Sequence, residues 1–437
     1  MSARVFLLGA QGVAKDGSTR IVRAMHILDE LQARGLLKDV TDPDGLRARM
    51  DQGPITFYAG YDPTSTSLTL GNAVPLMLQA HIQRAGHKPI VLMGGATGLI
   101  GDPTDKDGLR EHLDHDRMQA NLAGQRPVYG RVLDFAGDNA AVLVNNLDWF
   151  GSMGYLDFLR DVGRHISVSE MLQVETYARR LREQKFLSFL EFNYRLLQGY
   201  DFLHLFREYG CELQVGGSDQ WGNCVAGTEL IRKTLPGSRA WVLTCPLLLT
   251  SDGKKMGKTE SGAVYLTADK TSPYDLYQYC VNVPDPEVGK MLRTFTFLPL
   301  DEIAALEALP GKEINSAKER LGRELVTMFH GVAEADAARE ASRALFAGGA
   351  RTEDVPTVVV AADLFAGEGI PLYKLLVEAG LQTAGGAARR LIEQGGGYVN
   401  DVKQSDPQRR ITTADLDGDG AILLRAGKKR YCRVVVG

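Results

Sequence analysis

Residues 88–103, KPIVLMGGATGLIGDP, restrict the fold more than any other stretch of this 437-residue chain. An unbroken apolar run from Pro89 to Met93 opens directly into a loop with glycine at 94, 95, 98 and 101. A short run without polar alternation reads as a strand buried on both faces, and such strands belong to parallel sheets covered by helices. The unit recurs. PITFYAG (54–60) reads as a strand that leads through a hydroxyl-rich loop to a helix over 72–85, ending near Gly86. AAVLVNN (140–146) is a further strand, and CELQVGG (211–217) is another, followed by a helix that Ser218 is placed to cap. This alternation predicts an α/β fold with a Rossmann-like nucleotide-binding parallel sheet and ligands at the carboxyl ends of its strands.

The rest of the chain reads as appended structure. Helical pattern dominates 151–207 and returns over 274–347; 247–262 reads as a loop, and GGARTEDVPT (348–357) as a boundary. The first 24 residues are basic with one acid, and VFLLGA is too short for a secretory core. They read as an unstructured extension or as sequence ahead of a start at Met25. Five scattered cysteines without CxxC spacing argue for free thiols in a reducing compartment and give no zinc pattern. No apolar run is long enough to cross a membrane. Net charge is −4, yet over 371–437 eleven Lys and Arg stand against seven Asp and Glu, so a +4 tail follows a −8 body. A basic appendage on an acidic body suits a polyanion such as RNA.

Four elements carry chemistry. YDPTSTSLTLGN (61–72) is a hydroxyl loop entering a helix, where unpaired N–H groups attract anions. The glycine loop 94–102 and QVGGSDQWGN (214–223) follow strands. GKKMGKTESG (253–262) sets Lys254, Lys255 and Lys258 among glycines, which suits a moving phosphate clamp, although one such loop by itself is a solvated basic turn. Beside these four, YRLLQGYD sets Tyr194, Gln198 and Asp201 on one helix face; with Tyr and Leu there the face reads equally as core, although Gln and Asp without partners are poor core residues.

Together with NNLDWFG, YDFLHLF and TSPYDLYQY, these motifs resemble the bacterial tyrosyl-tRNA synthetases, class I aminoacyl-tRNA ligases, from about Met25 to the C-terminus. The resemblance implies the following roles. Tyr58 and Asp201 hold the phenol of L-tyrosine; Asp102, Tyr194 and Gln198 meet its ammonium group, and Gln220 orients it. Gly60, Asp62, Gly71, Asn72, Gly217, Asp219 and Lys258 bind ATP. Lys255, Gly257, Lys258 and Thr259 form one mobile catalytic loop, Lys106 and Arg110 belong to a second, and Thr64 and Thr69 add hydroxyls near the phosphates. ATP is a substrate accompanied by Mg2+, with no protein metal site. Arg389, Arg390, Lys428, Lys429 and Arg430 contact tRNA(Tyr). The implied organisation is an extension (1–24), a catalytic domain (25–250) with a helical dimerisation insertion near 150–200, a lysine loop and anticodon-side helical domain (251–347), a linker (348–369) and a small α+β RNA-binding domain (370–437), in a cytoplasmic homodimer without membrane contact. One departure stands out: the family's His-x-Gly-His is here Thr69-Leu70-Gly71-Asn72. That version is typical of tryptophanyl relatives, so a tryptophan-specific enzyme and a non-catalytic RNA-binding paralogue stay open as alternatives.

Overall fold

The computed structural model describes residues 25–102, 114–250, 253, 256–259, 262–346, 356–400, 402–418, 420–427 and 430–437. The extension 1–24 and Lys106, Arg110, Lys254, Lys255, Lys428 and Lys429 lie outside the described residues.

Six strands form the central sheet: β1 (Asp39–Val40), β2 (Thr56–Tyr61), β3 (Lys88–Met93), β4 (Val142–Asn145), β5 (Cys211–Gly217) and β6 (Trp241–Cys245). Their order is β1-β6-β5-β2-β3-β4, parallel throughout except for β1 at the edge. From β2 the chain builds outward through β3 to β4, then returns to the other side of β2 for β5 and β6. The order therefore reverses between β2 and β5, and a crevice opens at their carboxyl ends.

Helices cover both faces. α1 (Leu70–Arg84) packs against the sheet, and its buried Gln79 accepts from the Tyr61 hydroxyl (2.9 Å) and donates to the Ile90 carbonyl (2.9 Å), locking α1 to β2 and β3. α2 (Phe189–Tyr209) starts at a Ser188–Glu191 capping box and stops at Gly210, whose φ of 62° suits glycine. It lies so close to α3 (Trp221–Thr234) that a Cβ on Gly227 would sit 2.8 Å from the Phe202 ring. The helix after β5 starts at Trp221, not Ser218. Ser218–Gln220 form a 3₁₀ turn with no side-chain cap, which turns Asp219 and Gln220 toward the crevice.

Upstream, a short helix (Ile27–Arg34) is capped by the His26 imidazole, which accepts from Leu28 N at 3.1 Å. Downstream, helices Pro273–Val281, Ile314–His330 and Val332–Phe346 pack together in the same hydrophobic core as the sheet. The loop expected over 247–262 contains one arm of a small hairpin, Lys258–Thr259 paired with Gly262–Ala263. The C-terminal region has its own core and a five-stranded sheet. Strand Thr357–Val360 falls inside the expected linker 348–369, but it pairs in parallel with the last strand, Arg430–Val436, so this sheet begins well before residue 370. The β-branched run Thr-Val-Val-Val is the physical reason.

Candidate active site

A cavity of about 450 Å³ opens at the crevice between β2 and β5, within the usual range for small-molecule sites. Tyr58, Asp102, Tyr194, Gln198, Asp201 and Gln220 all line it, as do Gly60, Asp62, Thr64, Thr69, Gly71, Asn72, Gly217, Asp219 and Gly257. Lys258 and Thr259 are placed by their backbone, in the hairpin after Gly257. Four carboxylates face the cavity, and among its described lining residues there is no Lys, Arg or His.

At the closed end Tyr58 and Asp201 are each 1% exposed. Tyr58 packs on Phe202 with ring centroids 5.3 Å apart, and its hydroxyl has no hydrogen-bond partner. On the neighbouring strand, Gln214 is paired in register with Tyr58, is 3% exposed, and has an unpartnered Oε1. Buried polar atoms left unpaired are costly, so these two are poised for a ligand's polar groups. Asp201 is held by two donors: Asn146 Nδ2 to Oδ2 (3.1 Å) and Trp149 Nε1 to Oδ1 (2.9 Å). Burial pushes the Asp201 carboxyl well above its ordinary range, and these two donors oppose that shift. Burial likewise raises the Tyr58 phenol.

Asn146 extends this bracing. It is fully buried, accepts from Ala96 N (2.7 Å) and donates to Thr97 Oγ1 (3.1 Å). Thr97 donates onward to Asp62 Oδ1 (2.7 Å), and the Tyr194 hydroxyl donates to Asp62 Oδ2 (2.9 Å). The glycine loop serves this network by close approach: a Cβ on Gly94 would fall 2.2 Å from Asp62 Oδ1 and 2.5 Å from Thr97 Oγ1. Tyr194 thus orients Asp62 while its oxygen retains lone-pair capacity toward a cation. Gln220 donates to Asp102 Oδ2 (2.6 Å) and accepts from Asn223 Nδ2 (3.1 Å), and Gln198 reaches the Cys224 thiol (3.8 Å). Asn146, Trp149, Thr97 and Gln214 are site residues that the sequence did not single out individually.

The start of α1 departs from the open anion site expected there. Thr69 and Asn72 close a capping box on each other, and Leu70 N donates to the Val264 carbonyl (2.9 Å). The segment after the lysine hairpin lies along this turn: Thr69 bridges Tyr265, and Leu266 N donates to Leu68 O (3.0 Å).

In the C-terminal region Arg389 and Arg390 are exposed on one helix, Gly385–Glu393, with the Arg389 guanidinium 4.1 Å from the centre of the Tyr373 ring. Arg425 stacks on Tyr398 at 3.4 Å, and Arg430 opens the last strand.

Comparison with known proteins agrees with this architecture. Residues 50–347 match the family described as tRNA synthetases class I (W and Y), and residues 348–434 match the tyrosine–tRNA ligase SYY-like C-terminal domain. The chain is 46% identical over 411 residues to a tyrosine–tRNA ligase of Clostridium beijerinckii, covering 94% of this chain and 99% of that one. It is 45% identical over 430 residues to one from Desulfatibacillum aliphaticivorans, with coverage of 94% and 99%. A solved structure, the C-terminally truncated mitochondrial tyrosyl-tRNA synthetase of Aspergillus nidulans, matches 74% of this chain and 95% of its own with a TM-score of 0.68 at 32% identity. Tyrosyl-tRNA synthetase of Archaeoglobus fulgidus, at 17% identity and a TM-score of 0.53, shares the fold. The chain belongs to the class I tRNA synthetases and, within them, to the tyrosine–tRNA ligase family.

Proposed function

We propose that this chain activates L-tyrosine with ATP and transfers it to tRNA(Tyr). The observation that carries the substrate is the pairing of an unfilled Tyr58 hydroxyl with a braced Asp201 at the closed end of the cavity. A phenol fills that gap by donating to the carboxylate and accepting from Tyr58. Phenylalanine leaves both unpaired. A site built to hydrogen-bond a substrate hydroxyl rejects the analogue that lacks it, and tyrosyl-tRNA synthetases are themselves the standard example of that rule. Asp102, Tyr194 and Gln198 take the ammonium group, and Asp219 and Gly217 lie where a ribose enters beside them.

The reaction needs no general base for its first step. The ionised tyrosine carboxylate attacks the α-phosphorus of ATP, forming tyrosyl-adenylate, and pyrophosphate leaves. A terminal ribose hydroxyl of tRNA then attacks the activated carbonyl carbon, and AMP leaves. Positioning and stabilisation of phosphate charge carry the rate. The acidic described lining supplies no cation, so the charge falls to Lys255 and Lys258, to Lys106 and Arg110, and to Mg2+ travelling with the nucleotide. Among the described residues no group of three or more His, Cys, Asp or Glu is arranged to hold a metal, and Mg2+ suits coordination through the triphosphate oxygens.

The exposed Arg389 and Arg390, with Lys428, Lys429 and Arg430, make the C-terminal region the tRNA handle. Tyr155, Leu156, Phe186 and Phe189 are all exposed, which supports a homodimer interface in the insertion near 150–200. The helices of 273–346 are assigned to the anticodon side by the same family reading. Five buried, unpaired thiols support a reducing compartment such as the cytoplasm. No helix among the described residues is long and apolar enough to cross a membrane. Tyrosine-dependent ATP–pyrophosphate exchange, run against phenylalanine and tryptophan, tests the assignment. Exchange driven by tryptophan, or by no amino acid, would refute it.

A further inference from the structure

We propose that Thr69 is a positioning residue and not a phosphate ligand: it caps α1 so as to aim the Asn72 carboxamide nitrogen at the ATP phosphates. The proposal rests on the ATP-binding reading above. Its basis is an accounting of donors at the first turn of α1. The Thr69 hydroxyl accepts from Asn72 N (3.3 Å) and donates to Asn72 Oδ1 (2.7 Å), and Thr69 N donates to the same oxygen (3.0 Å). The only proton on that hydroxyl is therefore engaged inside the turn. Two of the first three amides of α1 are also occupied, Leu70 N by Val264 O and Asn72 N by Thr69.

Of the donors in this turn, the Asn72 NH2 group and the Gly71 amide are left, and both residues line the cavity. The Asn72 amide oxygen is fixed by two donors, so its nitrogen has one orientation and need not be ordered when ATP arrives. Gly257 lies over the Gly71 amide: a Cβ there would stand 3.6 Å from Gly71 N and 3.5 Å from Leu70 Cβ, and its φ of 78° favours glycine. The bridge from Thr69 to Tyr265 holds the same turn from the side of the lysine hairpin. Thr69 thus keeps one donor in register beside the segment that follows the Gly262–Ala263 strand.

A double-mutant cycle tests this on the full chain: Thr69→Val, Asn72→Ala, both together, and Thr69→Ser. Single-turnover adenylate formation and ATP affinity by calorimetry are the readouts, with tyrosine affinity as the control for folding. Thr69→Ser keeps a capping hydroxyl and retains the unmutated rate. Thr69→Val and Asn72→Ala each lose roughly ten- to a hundredfold, and the double variant loses no more than the worse single one. Tyrosine affinity is unchanged in all four. Losses that multiply in the double variant would make Thr69 an independent phosphate ligand and overturn the proposal, as would full activity and ATP affinity in Thr69→Val. Should the unmutated chain show no tyrosine-dependent exchange, the substrate reading fails, and the ATP-affinity cycle decides the cap on its own.

Discussion

Asn146 donates to Asp201 at 3.1 Å while its own amide oxygen accepts from Ala96 N at 2.7 Å, so one buried side chain ties the carboxylate proposed to read the substrate to the glycine loop. With Trp149 donating to the other oxygen at 2.9 Å, each Asp201 oxygen holds one donor and keeps capacity to accept another. Removing the indole donor by Trp149→Phe leaves the carboxylate less stabilised. Tyrosine affinity is expected to fall by about 1–3 kcal/mol, while the weak phenylalanine affinity hardly moves. Equilibrium dialysis with both amino acids measures this, and equal losses for the two would mean that Trp149 only supports the fold.

The pH dependence of binding follows from the same carboxyl. Burial raises Asp201, opposed by Asn146 and Trp149, with the charge of Asp62 raising it further. Tyrosine donates its phenol proton to the ionised form, so affinity is expected to rise as pH increases through the raised value. Trp149→Phe moves that midpoint upward. His204 stacks on Trp149 at 4.3 Å and also titrates, so His204→Gln serves as the control that removes its contribution. A tyrosine affinity that falls as pH rises, or a midpoint that does not move in Trp149→Phe, counts against the scheme.

Asp201→Ala removes the phenol reader outright, and discrimination between tyrosine and phenylalanine in exchange should collapse, chiefly through lost activity with tyrosine. Stability carries an independent signature. A carboxyl raised in the fold holds its proton to higher pH than in the unfolded chain, so its contribution is full below its ordinary 3.8 and is lost as pH rises through the raised value. The neutral variant Asp201→Asn lacks that loss, and its melting temperature should decline less than that of the unmutated protein on going from pH 5 to 8. A steeper decline would contradict the raised carboxyl.

The strands β2 to β5 and the face of α2 were readable because each depends on local period: apolar runs for the strands, and the 194, 198, 201 spacing for three cavity residues. The edge strand β1 and the strand β6 were not read from the sequence. Asn146 was not readable. Following a strand and preceding a helix, it has the local look of a turn residue, yet its two side-chain acceptors lie 49 and 55 residues away in sequence. Trp149 looked like packing for the same reason. Gln214 did leave a signal, an amide inside an otherwise apolar strand, and such a residue needs a partner or a ligand. The hydroxyl loop misled because Thr and Asn next to glycine suit both an anion site and a cap; only the Val264 contact, almost 200 residues away, decides how many donors stay open.

Removing the C-terminal region separates the two half-reactions. The cut belongs after Phe346 and not at Gly369, because the later cut leaves Thr357–Val360 without the strand it pairs with. The shortened protein should form adenylate at the full rate, since every described cavity residue lies before it. Charging of tRNA should be lost, and the salt dependence of tRNA binding should become shallower. Full-rate charging by the shortened protein would show that the basic region is not the tRNA handle.

Restoring the family's histidine at Thr69 is expected to give at most a modest gain in adenylate formation, whereas Lys258→Ala should lose far more. On the proposed reading Lys258 supplies the charge that the acidic described lining of the cavity lacks, and charge-assisted hydrogen bonds are roughly twice as strong as neutral ones. Thr69→His removes the hydroxyl that fixes Asn72 and puts an imidazole at an N-cap. Imidazole caps in this same protein: His26 accepts from Leu28 N, two residues ahead. The equivalent bond from position 69 engages the Gly71 amide, one of the two donors the first turn still offers to phosphate. Whatever the new ring adds is therefore offset by what it occupies and by what it releases. Single-turnover adenylate formation at saturating ATP and tyrosine compares the two variants directly. A rise of several orders of magnitude in Thr69→His would mean that the natural turn is crippled, and the non-catalytic paralogue would become the better description of this chain.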